Sequence, residues 1–283
     1  MPKSAFARFA VGALAFWILL FAFLPQLMVI AASFLHKGTE HFVRLEGTWQ
    51  NYLRLADPIY LGIFLGSFRL ALITTLLCLV VAFPFAATLA RLPERYKGIL
   101  LVLVIIPFWT SSLVRTYALI AILKTRGLLN DALLGLGVID APLELMYTET
   151  AVFVGMVYTL LPFMILPIYA SIEKIDVRLL EAAGDLGAGF WGKLTRVTIP
   201  LSMPGIIAGS MLVFLPSLGM FYIPDLLGGA KNLIVGSFIR NQFLIFRDWP
   251  FGAAASTLLT LLMLAMVAVY YRSRRAAQRE ENA

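Results

Sequence analysis

Glu181-Ala182-Ala183-Gly184-Asp185-Leu186-Gly187, followed after nine intervening residues by Val197-Thr198-Ile199-Pro200, is the stretch on which the fold of this chain turns. Ala182, Ala183 and Leu186 fall on one helical stripe, at i, i+1 and i+4. Gly187 then permits a turn that a Cβ would strain. Residues 188–197 have the length for a second short helix, which Pro200 helps to end. Two short helices with small residues at their bend can dock closely into a groove on another protein.

This loop separates two long apolar runs, and the rest of the chain has the same character. Of 283 residues, 60% are apolar or aromatic and 14% are charged. An ordinary soluble domain carries about 25% charged residues, and this chain cannot cover a soluble surface. Composition excludes a disordered chain, a collagen, a disulfide scaffold and a typical cytosolic enzyme. The single cysteine, Cys78, lies in an apolar run and is expected to be a small buried hydrophobe.

Crossing a bilayer takes about 20 apolar residues in a helix. Six runs qualify: Phe9–Ser33, Gly62–Ala90, Ile99–Leu123, Ala151–Ser171, Pro204–Pro224 and Phe251–Tyr271. The first is too long for a cleaved signal's apolar core, so a retained helix is expected. The chain divides into an N-terminus (1–8), one six-helix membrane domain (9–271, its long loop about 172–203) and a basic tail (272–283). The fold class is thus an all-α integral membrane protein. Pro84, Pro107, Pro162, Pro167 and Pro216 fall inside these runs and kink them.

Placing both termini in the cytoplasm puts 13 Lys and Arg on inner segments, against 8 on outer ones. Arg91, Arg95 and Lys97 in one short loop and the Arg-rich tail sharpen that asymmetry. The net charge of +7 therefore reads as a topology signal, with no nucleic-acid partner. The pattern from Gly187 to Lys193 approaches a phosphate-binding loop, but Leu194 stands where that loop needs Ser or Thr, and no strand precedes it. His36 and His41 share the first outer loop without the further ligands that a metal site needs.

The loop from Glu181 to Pro200 resembles the signature loop of permease subunits of binding-protein-dependent ABC importers. Val197 and Ile199 replace the usual Ile and Leu and keep the apolar bulk. The resemblance implies a type I ABC importer permease fold, in a bacterial inner (plasma) membrane, with a cytoplasmic coupling-helix loop between spans four and five. It implies that Glu181, Ala182, Ala183, Asp185, Gly187, Val197, Ile199 and Pro200 couple the chain to a cytoplasmic ATPase dimer. That ATPase would use ATP and Mg, while this chain would bind no cofactor, hold no metal and carry no catalytic residue. The implied further partners are a second permease subunit, forming a heterodimer, and a periplasmic or extracellular binding protein.

A wider likeness, from the third span to the sixth, is to the spermidine/putrescine branch of that family. Pro107-Phe108-Trp109-Thr110, Leu161-Pro162-Phe163-Met164, Ser171-Ile172-Glu173-Lys174 and Met203-Pro204-Gly205-Ile206-Ile207-Ala208-Gly209 carry it. So do Gly228-Gly229-Ala230-Lys231-Asn232-Leu233 and Arg247-Asp248-Trp249-Pro250-Phe251-Gly252. It implies a polyamine substrate delivered by a polyamine-binding protein and carried by alternating access. Another small organic solute or a metal chelate is the alternative cargo. A stand-alone secondary transporter is the other alternative, although it would need an internal repeat.

A flexible polycation calls for carboxylates and aromatic faces along its path. Trp109, Tyr158, Glu173, Phe221, Tyr222 and Asp225 are the candidates. Arg69 is expected to snorkel or pair with a carboxylate, and Arg115 to lie near the outer interface. Residues 128–136 and 232–246 are expected to form short outer helices. Gly205 and Gly209, four apart, permit close helix approach, either to a partner permease or within the subunit.

Overall fold

The computed structural model describes residues 5–38, 42–229 and 233–281, with only the backbone for 5–8 and 273–281. Lys3, His41 and Ala230-Lys231-Asn232 lie outside the described residues. The chain begins with α1 (Ala5–Ile18), a π turn (Leu19–Phe23) and α2 (Leu24–Ser33). A hairpin of β1 (Leu35–Lys37) and β2 (Val43–Gly47) follows, then α3 (Gln50–Leu55) and the long α4 (Pro58–Arg91). Next come α5 (Glu94–Ile105), a 3-10 turn (Ile106–Trp109), α6 (Ser112–Leu123), α7 (Leu128–Gly135) and α8 (Glu149–Ile172). The signature loop forms α9 (Val177–Asp185) and α10 (Phe190–Lys193), which runs through a π turn (Leu194–Thr198) into α11 (Ile199–Gly219). The chain closes with α12 (Tyr222–Gly228), α13 (Val235–Leu244) and α14 (Trp249–Glu281).

Among the described residues, five helices are long and apolar enough to cross a membrane: Phe9–Ser33, Pro58–Arg91, Glu149–Ile172, Phe190–Gly219 and Trp249–Arg272. A sixth crossing exists only if Glu94–Trp109 and Ser112–Gly135, bent by 95°, count as one span. The third span expected at Ile99–Leu123, kinked at Pro107, is thus corrected to one broken outright there. Pro107 opens the tighter turn, and Thr110 and Ser111 are extended, so no helical hydrogen bonds carry across.

The fifth span is shifted as well. It was expected over Pro204–Pro224, but α11 starts at Ile199 and stops at Gly219, where Met220 turns extended. Pro200 does not end a helix; it sits at the start of α11, directly after the π turn, within one continuous helix from Phe190 to Gly219. The turn before it widens instead: Ile199 N–H donates to the Leu194 carbonyl, five residues back. Pro25 has the same effect in the first span, where Leu24 N–H donates to Leu19. In both places a proline ring would collide with the carbonyl four residues earlier, and a π turn moves that carbonyl aside.

The antiparallel hairpin between α2 and α3 is an addition to the all-α expectation. It pairs His36 with Arg44 and Lys37 with Val43, with a register irregularity between Leu35 and His36.

The chain clusters into two units, Met1–Ile63 with Phe238–Ala283, and Phe64–Ser237. In the first, α2, α3 and β1 pack on α14. Asn51 is buried and donates to the Ser33 and Leu35 carbonyls. Arg54 pairs with Asp248 at 3.1 Å and lies 3.9 Å over the Phe251 ring, while Asp248 also accepts from Phe251 N–H. In the second unit, Cys78, Ala82 and Ala86 of α4 meet Met156, Leu160, Met164 and Ile168 of α8, with Val213 of α11 and Leu227 of α12. Cys78 is the buried small hydrophobe that its apolar run implies.

The α8–α11 pair is the tightest packing of that unit. A Cβ on Gly205 would strike the Pro167 carbonyl and Ser171, and one on Gly209 would meet the Met164 sulfur at 2.9 Å. The Gly205/Gly209 pair therefore serves packing within the subunit. α7 forms where expected, but its Asn130 is buried. Its amide donates to the Lys124, Thr125 and Leu143 carbonyls and its oxygen accepts from Leu143 N–H.

Candidate coupling loop and transport pathway

The loop after α8 is built by local backbone rules. Asp176 caps α9, accepting from Arg178 N–H at 3.0 Å. At the other end Gly187 adopts φ +83°, the left-handed region that glycine enters freely. Gly187 N–H then donates to the Gly184 carbonyl and Ala188 N–H to the Ala183 carbonyl, both at 2.9 Å. These two bonds make a Schellman cap, which reverses the chain toward α10. Lys193 lies over Gly184, where an added Cβ would meet its Nζ at 2.6 Å. Thr198 is buried and its hydroxyl donates back to the Lys193 carbonyl. The loop is thus a defined two-helix unit continuous with α11.

Its exposed surface carries large apolar side chains beside acidic ones. Leu186 is 89% exposed and Trp191 72%, with Phe190 edge-on to Trp191 at 5.5 Å. Glu181, Ala182, Asp185, Gly187 and Pro200 are exposed, while Ala183, Val197 and Ile199 are half-buried. Where this loop leaves α8 and meets α11, Ser171, Lys174, Asp176, Leu179, Leu201 and Pro204 line part of an open cavity of about 580 Å³.

The pathway candidates divide into separate groups. Trp109 lies on the 3-10 turn of the broken span and is 82% exposed. Tyr158, on α8, is exposed and faces the Arg115 guanidinium at 5.9 Å. Phe221, Tyr222 and Asp225 surround the break between α11 and α12, and Asp225 accepts from the Ser237 hydroxyl at 2.6 Å. Glu173 is held at the C-terminal end of α8: it accepts from the Tyr169 hydroxyl and lies 3.5 Å from Lys97. Lys97, whose side chain is only 12% exposed, also meets Glu94 at 2.7 Å. Arg69 pairs with Glu149 at 2.6 Å, the carboxylate partner that its place in an apolar run requires.

Two features were missed at the level of sequence. The Lys97–Glu173–Tyr169 cluster needs α5 and α8 side by side; only the i, i+4 spacing of Tyr169 and Glu173 hinted at it. The pairing of Arg115 with Phe108 and Tyr158 joins residues on three elements, and no local pattern reveals it.

Residues 59–279 match the family model described as "Binding-protein-dependent transport system inner membrane component". The chain belongs to that permease family. It is 54% identical over 259 residues to the spermidine/putrescine transport system permease protein PotB of Escherichia coli K12, covering 92% of this chain and 94% of that one. The PotB of Haemophilus influenzae is 46% identical over 278 residues, covering 98% and 97%. A crystal structure of a bacterial ABC transporter involved in the import of the acidic polysaccharide alginate shares the fold, with TM-score 0.74 at 17% identity and 96% coverage of both chains. The permease is therefore an ABC importer subunit and a multi-pass inner-membrane protein, a transport component and not a known enzyme. Its fold is the type I permease fold.

Proposed function

We propose that this permease carries polyamines of the spermidine and putrescine class into the cytoplasm as one half of a heterodimeric pathway. The observation that carries the reading is the 46–54% identity to spermidine/putrescine permeases over nearly the whole chain. A separate cytoplasmic ATPase dimer binds Mg and ATP and drives transport. The exposed loop of Glu181, Ala182, Asp185 and Gly187, with Leu186, Phe190 and Trp191, docks on that dimer. Both termini face the cytoplasm, which agrees with the bias of Lys and Arg toward inner segments. A periplasmic polyamine-binding protein delivers substrate at the outer loops.

The geometry supports a lever mechanism. α10 passes without a break through the π turn into α11. A push on the loop therefore moves the inner end of α11. Gly205 and Gly209 clasp α11 to α8, so the two helices move together. The extended residue at Met220 lets Phe221, Tyr222 and Asp225 respond at the far end. Closure of the ATPase dimer opens the path outward, and hydrolysis returns it inward. Asp225 supplies a carboxylate, and Trp109, Tyr158, Phe221 and Tyr222 supply ring faces for ammonium groups. Glu173 serves at the inner mouth.

The test is uptake of radiolabelled spermidine and putrescine by cells lacking other polyamine systems, with and without this chain. Loss of ATP-dependent uptake of either polyamine, restored by the intact chain, is expected. Unchanged uptake of both would discard the polyamine assignment.

A further inference from the structure

Arg115 sits in the first turn of α6, just past the break at Thr110 and Ser111. Its guanidinium carbon is 5.8 Å from the centre of the Phe108 ring and 5.9 Å from that of Tyr158. Phe108 is fixed edge-on against Phe163 at 4.9 Å. The Arg115 Nε and Nη1 atoms are buried, and neither has a hydrogen-bond partner among the described residues. None of the ion pairs among the described residues involves Arg115.

Two opposed effects act on this guanidinium. Two aromatic rings within about 6 Å attract a cation. Buried N–H groups without acceptors retain their desolvation cost, which opposes that seating. The result is a cation held weakly in a place shaped to hold one. Asn130, also buried, by contrast meets acceptors with its donors.

We propose that Arg115 is a tethered occupant of a cation subsite formed by Phe108 and Tyr158, and that an ammonium group of the substrate displaces it. The proposal rests on the polyamine reading for the identity of the cargo and extends it to specificity. A free monovalent cation must compete with a guanidinium whose tether gives it a high local concentration. A substrate with several ammonium groups stays bound through the others while one of them displaces the arginine. Arg115 thereby selects against cations that carry a single charge. This gives a function to a positive charge that otherwise opposes a cation pathway.

The experiment uses the complete permease–ATPase complex in lipid nanodiscs, without binding protein. Spermidine and butylammonium are titrated by calorimetry. Replacing Arg115 by Met or by Gln vacates the rings and should tighten butylammonium binding by roughly 5- to 30-fold, the worth of a desolvated cation–ring contact. Spermidine should tighten less, so the preference for spermidine narrows. Arg115→Lys retains a tethered cation and should keep the wild-type preference. Adding Tyr158→Leu to Arg115→Met should abolish the gain. The proposal is overturned if Met and Gln variants bind butylammonium no better than wild type, or if Lys behaves as Met does. If Arg115→Met gains butylammonium affinity but no form binds spermidine, the subsite stands and the polyamine reading falls.

Discussion

Replacing Gly187 isolates the conformation of the coupling loop from its packing. An added Cβ at this position meets nothing within 4 Å, so bulk alone causes no clash. The cost comes from φ +83°, which disfavours L residues by about 1–2 kcal/mol. Gly187→Val adds β-branching to that and should cost at least as much. Gly187→Asn should cost less, because Asn tolerates the left-handed region. A penalty of about 1.4 kcal/mol changes a population tenfold. Under the proposed coupling, a loop with its cap opened tenfold more often would transmit less of each ATPase closure to α11. The assay is the ratio of spermidine taken up to ATP hydrolysed, in proteoliposomes at matched protein level. Gly187→Val should lower that ratio several-fold, with ATP hydrolysis continuing and Gly187→Asn close to wild type. A normal ratio for Val, or equal defects for Val and Asn, would refute the role of the left-handed cap.

Other consequences concern packing and charge. Gly209→Ala drives a Cβ to 2.9 Å from the Met164 sulfur and 3.1 Å from its carbonyl. It should lower stability by about 1–3 kcal/mol, read as an earlier thermal transition of the purified complex. Gly155→Ala drives a Cβ into Leu227 Cδ1 and to 2.9 Å from Ile223 Cγ2, both on fully buried side chains, and should cost at least as much in the same melt. Asn130→Leu removes the amide that holds three carbonyls and should cost about 2–4 kcal/mol, from buried acceptors left unmet. Limited proteolysis between α6 and α8 should rise accordingly. Lys97→Met leaves Glu94 and Glu173 facing each other without a cation. Uptake should fall, while Lys97→Arg should retain most of it.

The long apolar runs made the membrane class, four of the six crossings and the existence of the loop legible in the sequence, because burial in lipid is written in composition. Gly187 as the turn was legible too, since only one residue type enters that conformation freely. The bend of the third span was not, because Pro107 marks a possible kink without saying whether neighbours restore the helix. Pro200 misled for a related reason. A proline signals either the end of one helix or the first turn of the next, and the π turn that joins them depends on packing of α11. The hairpin rests on a short alternation at Val43–Glu46 that is too brief to outweigh the surrounding helical signal. Arg115 seated against Phe108 and Tyr158, and Lys97 between two carboxylates, are long-range arrangements that no local pattern specifies.

The most direct test of the account is spermidine uptake into proteoliposomes that hold the complete transporter, with binding protein outside and ATP sealed inside. The account predicts accumulation that requires both ATP and this chain and that Gly187→Val uncouples from hydrolysis. Accumulation without ATP, or an intact assembly that hydrolyses ATP and moves no polyamine, would contradict it.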